Sequence, residues 1–291
     1  MGKKGGIPSQ VRYRYSRITK WNVLCGHQGI HECIPVELGH SVFWKCLFCC
    51  PKRKKGWMIV EQNQKTGTLY GVSVGPGDPE LMTVKAVRIL EKCAVWAAPA
   101  AKQERSVALE IARGGVSDEE KELLMLNFEM TADPDRLRRN HQEQAQVLRS
   151  VLEQGKDIAF VCLGDVSVYS TFEYVADILR AQGVPVESVP GVTSFCAVAS
   201  ALGRSLTTDM KKPLHIIPGA FEDMDAALAM PGAKVIMKSA RRFPQVREKI
   251  LASGKDAAAV VDCGMETEKR YTDLREMPET SGYFTTVLVG E

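Results

Sequence analysis

Three short segments combine glycines with hydroxyl side chains, and each follows a stretch with the composition of a buried strand. They are Gly75–Thr83, Leu163–Thr171 and Val189–Phe195, in that order along the chain. Glycine lets the backbone approach a ligand closely, and Ser and Thr hydroxyls can satisfy polar ligand atoms. Residues of these types can contact a polar ligand, and they can equally form simple turns.

The first segment invites comparison with a dinucleotide-binding loop, and the comparison fails. Gly71, Gly75 and Gly77 do not have the spacing G-x-G-x-x-G followed by a helix, and Pro76 removes one amide donor. No acidic residue stands in the ribose position about 20 residues further on, and no P-loop Lys-Ser/Thr is present. Taken alone, this segment is equally well interpreted as a simple turn.

Residues 1–57 differ in composition from the rest of the chain. They carry 11 Lys and Arg against 2 Glu, and five of the nine cysteines. Three interpretations remain open: a zinc module, a basic arm that binds nucleic acid, or an over-extended start that does not belong to the working protein. The composition change favours the third, so we expect a basic, Cys-rich extension without structure of its own. The candidate zinc ligands are Cys25, His27, His31, Cys33, Cys46 and Cys49, of which only the last two have knuckle spacing.

Residues 58–291 have the composition of an acidic globular protein. Their 27 Lys and Arg stand against 33 Asp and Glu, and their four cysteines are scattered singly among apolar neighbours. Single buried cysteines are typical of reduced proteins, so we expect a cytoplasmic location. The sequence contains neither an apolar run long enough for a membrane span nor a secretory signal at residue 1. We therefore expect no membrane partner.

The elements that must position the three segments alternate between strand and helix. Strands are predicted at 68–75, 94–97, 123–129, 157–163 and 184–189, the last at a sheet edge because of Pro185. Helices are predicted at 81–92, 106–113, 134–153 and 168–182. Beyond a hinge at Pro190 and Gly191, helices and strands continue to alternate, and we expect antiparallel edges in that second sheet. This order predicts an α/β fold.

Together the three segments closely resemble the tetrapyrrole methylase family, whose members use S-adenosylmethionine. The resemblance covers residues 68–291 and none of 1–57. Segments Phe195–Gly203, Cys263–Tyr271 and Ser281–Thr286 further resemble the branch that methylates C20 of precorrin-2 or cobalt-factor II in cobalamin (vitamin B12) biosynthesis. Other tetrapyrrole C-methyltransferases of the family remain the alternative.

The resemblance implies two α/β domains, here 58–189 and 190–291, with the active-site cleft between them. It implies S-adenosylmethionine as cofactor, a small-molecule tetrapyrrole as substrate, no bound metal and a homodimer. Carried over position by position, the cofactor contacts would be Pro76, Leu163, Gly164, Asp165, Val168, Thr193, Ser194, Met237 and Gly264. For Val168 and Met237, simple core packing is the alternative.

One position departs from the family pattern. The family usually has proline directly after the Gly-Asp pair of the second segment, and this chain has Val166. Valine keeps a backbone N–H and a freer φ, so we expect this loop to be less rigid than the family pattern implies.

Methyl transfer from a sulfonium to a meso carbon needs position, a dry pocket and a base for the departing proton. Asp78 could be that base, or could instead cap the helix that begins near Pro79, which we favour. The carboxylates of a tetrapyrrole need cations, and four side chains are candidates: Arg204, Lys238, Arg241 and Arg242.

Three other function classes are alternatives to a tetrapyrrole methylase. An RNA methylase of the same superfamily would need a basic cleft, whereas 58–291 is acidic, so no nucleic-acid partner is expected. A nicotinamide-dependent oxidoreductase is disfavoured by the broken glycine fingerprint. A zinc-containing interaction protein would depend on residues 1–57 alone.

Overall fold

The structure is a computed structural model that describes residues 21–24, 30–38, 41–46, 66–100, 106–207, 209–239, 242–280 and 282–290. The chain divides into two compact units, Met1–Lys65 and Thr66–Glu291. Among the described residues, no helix combines the length and the hydrophobicity needed to cross a bilayer.

The first unit contains a three-stranded antiparallel sheet in the order β1-β2-β3. The sequence analysis expected no regular structure here, and the three strands differ from that expectation. Ile, Val, Phe and Trp recur in β2 and β3 and favour strands even without strict alternation. Candidate zinc ligands Cys25, His27 and Cys49 lie outside the described residues. That residues 1–57 do not belong to the working protein stays a prediction. The strands are β1 (Trp21–Leu24), β2 (Ile30–Leu38) and β3 (Ser41–Cys46).

The first sheet of the second unit is built from five parallel strands in the order β6-β5-β7-β4-β8. Its central strands β4 and β7 are buried throughout, as their near-continuous apolar sequences predict. β8 forms an edge, where the sequence analysis placed it because of Pro185. The strands are β4 (Leu69–Ser73), β5 (Val95–Ala100), β6 (Glu122–Asn127), β7 (Ile158–Cys162) and β8 (Val186–Val189).

Helices cover both faces of this sheet and give it two hydrophobic cores. One core includes Leu148 of α3 and Phe172 of α4, and the other includes Leu90 of α1 and Ile111 of α2. α4 begins four residues later than the sequence predicts, because the preceding residues form the loop after β7. The helices are α1 (Val84–Lys92), α2 (Val107–Gly115), α3 (Pro134–Leu152) and α4 (Phe172–Ala181).

The second sheet mixes parallel and antiparallel strands in the order β12-β11-β13-β10-β9. The sequence predicts antiparallel strands at the edges of this sheet. β12 fits that expectation, but β13 is antiparallel to both neighbours and lies in the middle. Full burial of β13 on both sides is the physical reason, because its apolar side chains must be covered. The strands are β9 (Leu214–Pro218), β10 (Ala233–Met237), β11 (Ala257–Val261), β12 (Lys269–Tyr271) and β13 (Thr285–Val289).

Helices also cover both faces of the second sheet. One face packs against Met224 of α6 and Phe243 of α7, and the other against Phe195 and Val198 of α5. α5 begins within the third glycine-hydroxyl segment, at Ser194, so this segment connects the first sheet to a helix that covers the second. The division into domains at residues 189 and 190 stays a prediction. The helices are α5 (Ser194–Ala201), α6 (Met224–Ala229) and α7 (Phe243–Ala252).

Candidate active site

The three glycine-hydroxyl segments lie together at the carboxyl ends of β4, β7 and β8. These strands are neighbours around the point where the strand order reverses, which is where open α/β sheets bind ligands. We call the first two segments the first loop (Gly75–Thr83) and the second loop (Leu163–Thr171). The third loop is Pro190–Thr193, the part of the third segment that lies between β8 and α5.

Two backbone hydrogen bonds join the first and second loops. The Gly164 amide donates to the Gly75 carbonyl at 2.8 Å, and the Gly75 amide donates back at 3.3 Å. The third loop is joined to the first by Thr83, whose Oγ1 donates to the Pro190 carbonyl at 3.3 Å. The same Thr83 oxygen caps α1 by accepting from the Ala86 amide.

Gly164 faces open space within this arrangement. Its φ is +71°, a conformation that residues with a Cβ adopt only under strain. A Cβ at this position would find its nearest neighbour, the Ser194 amide nitrogen, 4.0 Å away. The backbone here therefore borders a space that a ligand can approach closely.

Asp165 holds the second and third loops together. Its carboxylate is largely buried and accepts from the Gly191 amide at 2.8 Å, from the Ser167 amide at 2.9 Å and from the Ser167 hydroxyl. Burial on its own raises the pKa of Asp165, but these hydrogen bonds outweigh burial and leave its pKa below the ordinary value. The role visible in the structure is positioning of the loops.

Val166 uses the amide that a proline would lack. Its N–H donates to the Oγ of Ser73 at 2.9 Å, and both residues are buried. The departure from the family pattern thus adds a hydrogen bond from the second loop to the end of β4. Sequence reasoning missed Ser73, because a polar residue at the end of an apolar strand does not by itself indicate a partner 93 residues away.

Thr193 lies in the third loop and has a buried hydroxyl without a partner, as Ser106 and Ser239 also do among the described residues. Its Oγ1 is buried and has no hydrogen-bond partner among the described residues, and it does not cap α5. Next to it, the Ser194 hydroxyl has Thr286 of β13 within 3.4 Å. A buried hydroxyl without a partner is unfavourable by about 1–3 kcal/mol, so this oxygen suits a polar ligand atom.

Met237 and Val168 belong to one apolar cluster beneath α5. Met237 ends β10 and is buried with Phe195 and Leu288, and Val168 of the second loop packs against the same cluster. Both side chains therefore pack in the hydrophobic core, which is the alternative interpretation that the sequence left open. Contact with a cofactor at these two positions, as at Pro76 and Leu163, stays a prediction.

Gly264 meets the first loop directly. A Cβ on Gly264 would lie 2.7 Å from the Asp78 amide nitrogen, and a Cβ on Gly77 would lie 2.2 Å from the Cys263 carbonyl oxygen. The Gly264 amide donates to Glu268 Oε2 at 2.6 Å, which fixes this turn after β11. The loop after β11 and the first loop are thus in backbone contact.

Asp78 caps the short 3-10 helix Pro79–Leu81. Its Oδ1 accepts from the Glu80 amide at 2.8 Å, which is the capping role that the sequence analysis favoured. A role as proton acceptor stays a prediction.

The candidate cations occupy different places. Arg204 pairs with Asp256 at 2.7 Å beside a cavity of about 280 Å³, at the amino ends of β9 and β10 and so away from the three loops. Arg242 donates to the Ala220 carbonyl, and Arg241 lies outside the described residues. Lys238, directly after β10, reaches the second loop.

No group of three or more His, Cys, Asp or Glu side chains with metal-site geometry occurs in the described part of the chain.

Known proteins resemble this chain in both sequence and fold. The cobalt-precorrin-2 C(20)-methyltransferase of Salmonella typhimurium is 32% identical over 234 residues, which cover 77% of this chain and 97% of that protein. The precorrin-2 C(20)-methyltransferase of a Sinorhizobium species is 31% identical over 235 residues, or 77% of this chain and 95% of that protein. A probable cobalt-precorrin-2 C(20)-methyltransferase of Methanocaldococcus jannaschii is 35% identical over 61% of this chain and 74% of that protein.

Solved structures share the fold at lower identity. A cobalt precorrin-4 methyltransferase has a TM-score of 0.63 at 22% identity, covering 78% of this chain and 96% of that one. A uroporphyrin-III C-methyltransferase of Thermus thermophilus, solved with S-adenosylhomocysteine, has a TM-score of 0.56 at 23% identity, covering 77% and 98%. The sequence model of the family described as Tetrapyrrole (Corrin/Porphyrin) Methylases matches residues 68–278, the span that holds all three loops and every strand from β4 to β12. The chain therefore belongs to the tetrapyrrole methylase family, as the resemblance of its loops predicted.

Proposed function

We propose that this chain transfers a methyl group from S-adenosylmethionine to C20 of precorrin-2 or its cobalt form, in cobalamin biosynthesis. The observation that carries the proposal is the set of relatives at 31–35% identity, all named for transfer to C20. Two of them align over 97% and 95% of their own length, so the likeness is not confined to the three loops.

The residues around the three loops fit S-adenosylmethionine. Thr193 Oγ1 is a buried hydroxyl without a partner among the described residues, and Gly164 borders open space. The cofactor supplies a methyl group activated by the positive sulfonium charge. Gly164 would admit the cofactor close to the backbone, and Thr193 and Ser194 would hydrogen-bond its polar atoms.

The chain itself contributes position and exclusion of water. Asp165 fixes the second loop to the third, and the Gly75–Gly164 bridge fixes the second loop to the first. The apolar cluster of Met237 and Phe195 provides a dry wall. Such positioning is the main requirement for displacement at an activated methyl group.

Replacing Thr193 with valine should separate ligand binding from stability. Valine has the same shape but no hydroxyl, so we expect the affinity for S-adenosylhomocysteine to fall by about 1–3 kcal/mol. The unliganded protein should be at least as stable as the wild type, because Oγ1 has no partner there to lose. Calorimetric titration and thermal unfolding measure the two effects.

The matched control for this variant is Thr131→Val. The Thr131 hydroxyl accepts from the Asp133 amide at an exposed turn before α3. Its removal should leave S-adenosylhomocysteine affinity unchanged. Unchanged affinity in Thr193→Val as well would show that this hydroxyl does not face the cofactor.

The reaction is tested by incubating the protein with S-adenosylmethionine and precorrin-2 or its cobalt form. We expect one added methyl, located at C20 by carbon NMR, and S-adenosylhomocysteine as the second product. Exchanging residues 263–271 and 281–286 for those of another branch should lower C20 transfer far more than cofactor affinity. A methyl at another ring carbon would contradict the branch assignment and leave the family assignment intact.

We also infer a homodimer and a cytoplasmic location. The homodimer follows from family analogy and can be tested by analytical ultracentrifugation.

The cytoplasmic location is supported by four free cysteines, since thiols stay reduced in that compartment. They are Cys93, Cys162, Cys196 and Cys263. Burial raises the pKa of Cys93 and Cys162 to about 12 and that of Cys263 to about 11, so these three thiols stay neutral.

A further inference from the structure

Unusual backbone conformations are concentrated at the ends of strands that face the loops of the site. Among the described residues, only Tyr169, Lys238 and Asp262 have a positive φ without being glycine. They follow β7, β10 and β11. A left-handed conformation is costly for such residues and recurs at functional sites, which makes each of them worth examining.

Tyr169 and Lys238 contact each other across the two sheets. The Lys238 ammonium donates to the Tyr169 carbonyl at 2.6 Å and lies 5.9 Å from the centre of the Tyr169 ring. The Tyr169 hydroxyl in turn lies 3.5 Å from the Ile216 carbonyl of β9. The second loop and the second sheet are therefore joined at this point.

The Lys238 ammonium lacks a negative partner. No carboxylate of the described residues lies within ion-pair distance of it, whereas Lys249 pairs with Asp225 at 2.5 Å and Arg204 with Asp256 at 2.7 Å. The side chain retains exposed surface, but the protein atoms that crowd its ammonium lower its pKa. A cation that retains exposed surface and has no counter-charge among the described residues can bind an anion.

The surroundings of this ammonium suit a flat molecule that carries carboxylates. An ammonium has three N–H donors, and the Tyr169 carbonyl accepts only one of them. Tyr169 beside it is 45% exposed, and its ring offers an aromatic face. Thr193 Oγ1 and the Gly164 backbone are buried, so Lys238 is the more accessible group.

Resting on the proposed function, we propose that Lys238 binds a carboxylate of the tetrapyrrole substrate and so orients the ring in front of the methyl donor. The Tyr169 ring supports the macrocycle next to that carboxylate. The backbone at Lys238 is left-handed, and from it the ammonium reaches the Tyr169 carbonyl of the second loop.

The test uses Lys238→Gln and Lys238→Gly in the full chain, with Lys249→Gln as the matched control on the surface of α7. The probe is sirohydrochlorin, the stable oxidised form of precorrin-2, titrated by its absorbance. S-adenosylhomocysteine affinity is measured in parallel by calorimetry. Both Lys238 variants should bind sirohydrochlorin about tenfold or more weakly, since a hydrogen bond to a charged group is lost, and should bind S-adenosylhomocysteine within about twofold of wild type.

The glycine variant guards against a merely structural effect. Glycine adopts a left-handed φ without strain, so Lys238→Gly should unfold at a temperature no lower than Lys238→Gln while losing the same ring affinity. Unchanged sirohydrochlorin affinity in both variants would overturn the proposal, as would a wild type that does not bind this ring. A matching loss of S-adenosylhomocysteine affinity would instead assign the carboxylate to the cofactor and also overturn it.

The same data distinguish this proposal from the proposed function. If the Lys238 variants bind the ring normally while the wild type methylates C20, only the role of Lys238 fails. If the wild type methylates another carbon while the Lys238 variants still lose ring affinity, only the C20 assignment fails.

Discussion

Alanine at position 77 should weaken S-adenosylhomocysteine binding by about tenfold or more. A Cβ on Gly77 would lie 2.2 Å from the Cys263 carbonyl oxygen and 2.8 Å from the Gly264 carbonyl carbon. Both are backbone atoms that cannot turn aside, so the first loop or the turn after β11 must move. We expect a loss of about 1–3 kcal/mol in the free energy of unfolding as well, which is typical of overpacking.

The control for this variant is Gly282→Ala. A Cβ on Gly282 would meet two side-chain atoms, a methyl carbon of Val261 at 3.3 Å and Asp262 Oδ1 at 3.8 Å, and neither Gly77 nor Gly282 has a positive φ. The two variants therefore differ in what the added methyl group contacts. Equal cofactor affinity in both, measured by calorimetry, would mean that the contact between the first loop and Gly264 does not shape the cofactor site.

Asparagine at position 165 should detach the third loop from the second. An amide has one acceptor oxygen, and Asp165 uses one oxygen for Gly191 and the other for Ser167. In either orientation, one backbone N–H would face the NH₂ group of asparagine. We expect a loss of about 1–3 kcal/mol in the free energy of unfolding at neutral pH, together with weaker cofactor binding.

The loss of unfolding free energy in Asp165→Asn should become smaller as the pH falls. The pKa of Asp165 is lower in the folded protein than in the unfolded chain, so its contribution is complete above the unfolded value. It declines as the pH falls through the folded value. The difference in unfolding free energy between wild type and Asp165→Asn should therefore narrow in acid.

Asp133→Asn is the matched control, because Asp133 caps α3 at an exposed site and asparagine caps helices equally well. The Asp165→Asn variant could lose no more stability than this control, and its difference in unfolding free energy from wild type could be independent of pH. Together these results would show that the Asp165 carboxylate does not join the second and third loops.

The elements that surround the site could be predicted because local sequence determines them. Strand β7 is apolar over its whole length, and α3 begins with an aspartate cap followed by proline. These signals lie within a few residues of one another. They placed the three loops at strand ends, and the order of the strands then brings the loops together.

The contacts within the site could not be predicted, because they join residues that are far apart in the sequence. Asp165 was expected to contact the cofactor, and its visible partners are Ser167 and Gly191. The position of β13 in the middle of the second sheet depends on the pairing of three strands, which local patterns do not encode. Tyr169 was not singled out, because its backbone conformation has no local signal.

Valine at position 166 gives the second loop an exchangeable proton that a proline would not have. The Val166 amide proton lies between two buried residues and is held by the Ser73 hydroxyl. It can exchange with deuterium only when the loop separates from the end of β4. Its exchange rate therefore reports how often this loop opens, and comparing the rate with and without S-adenosylhomocysteine would show how strongly the ligand closes it.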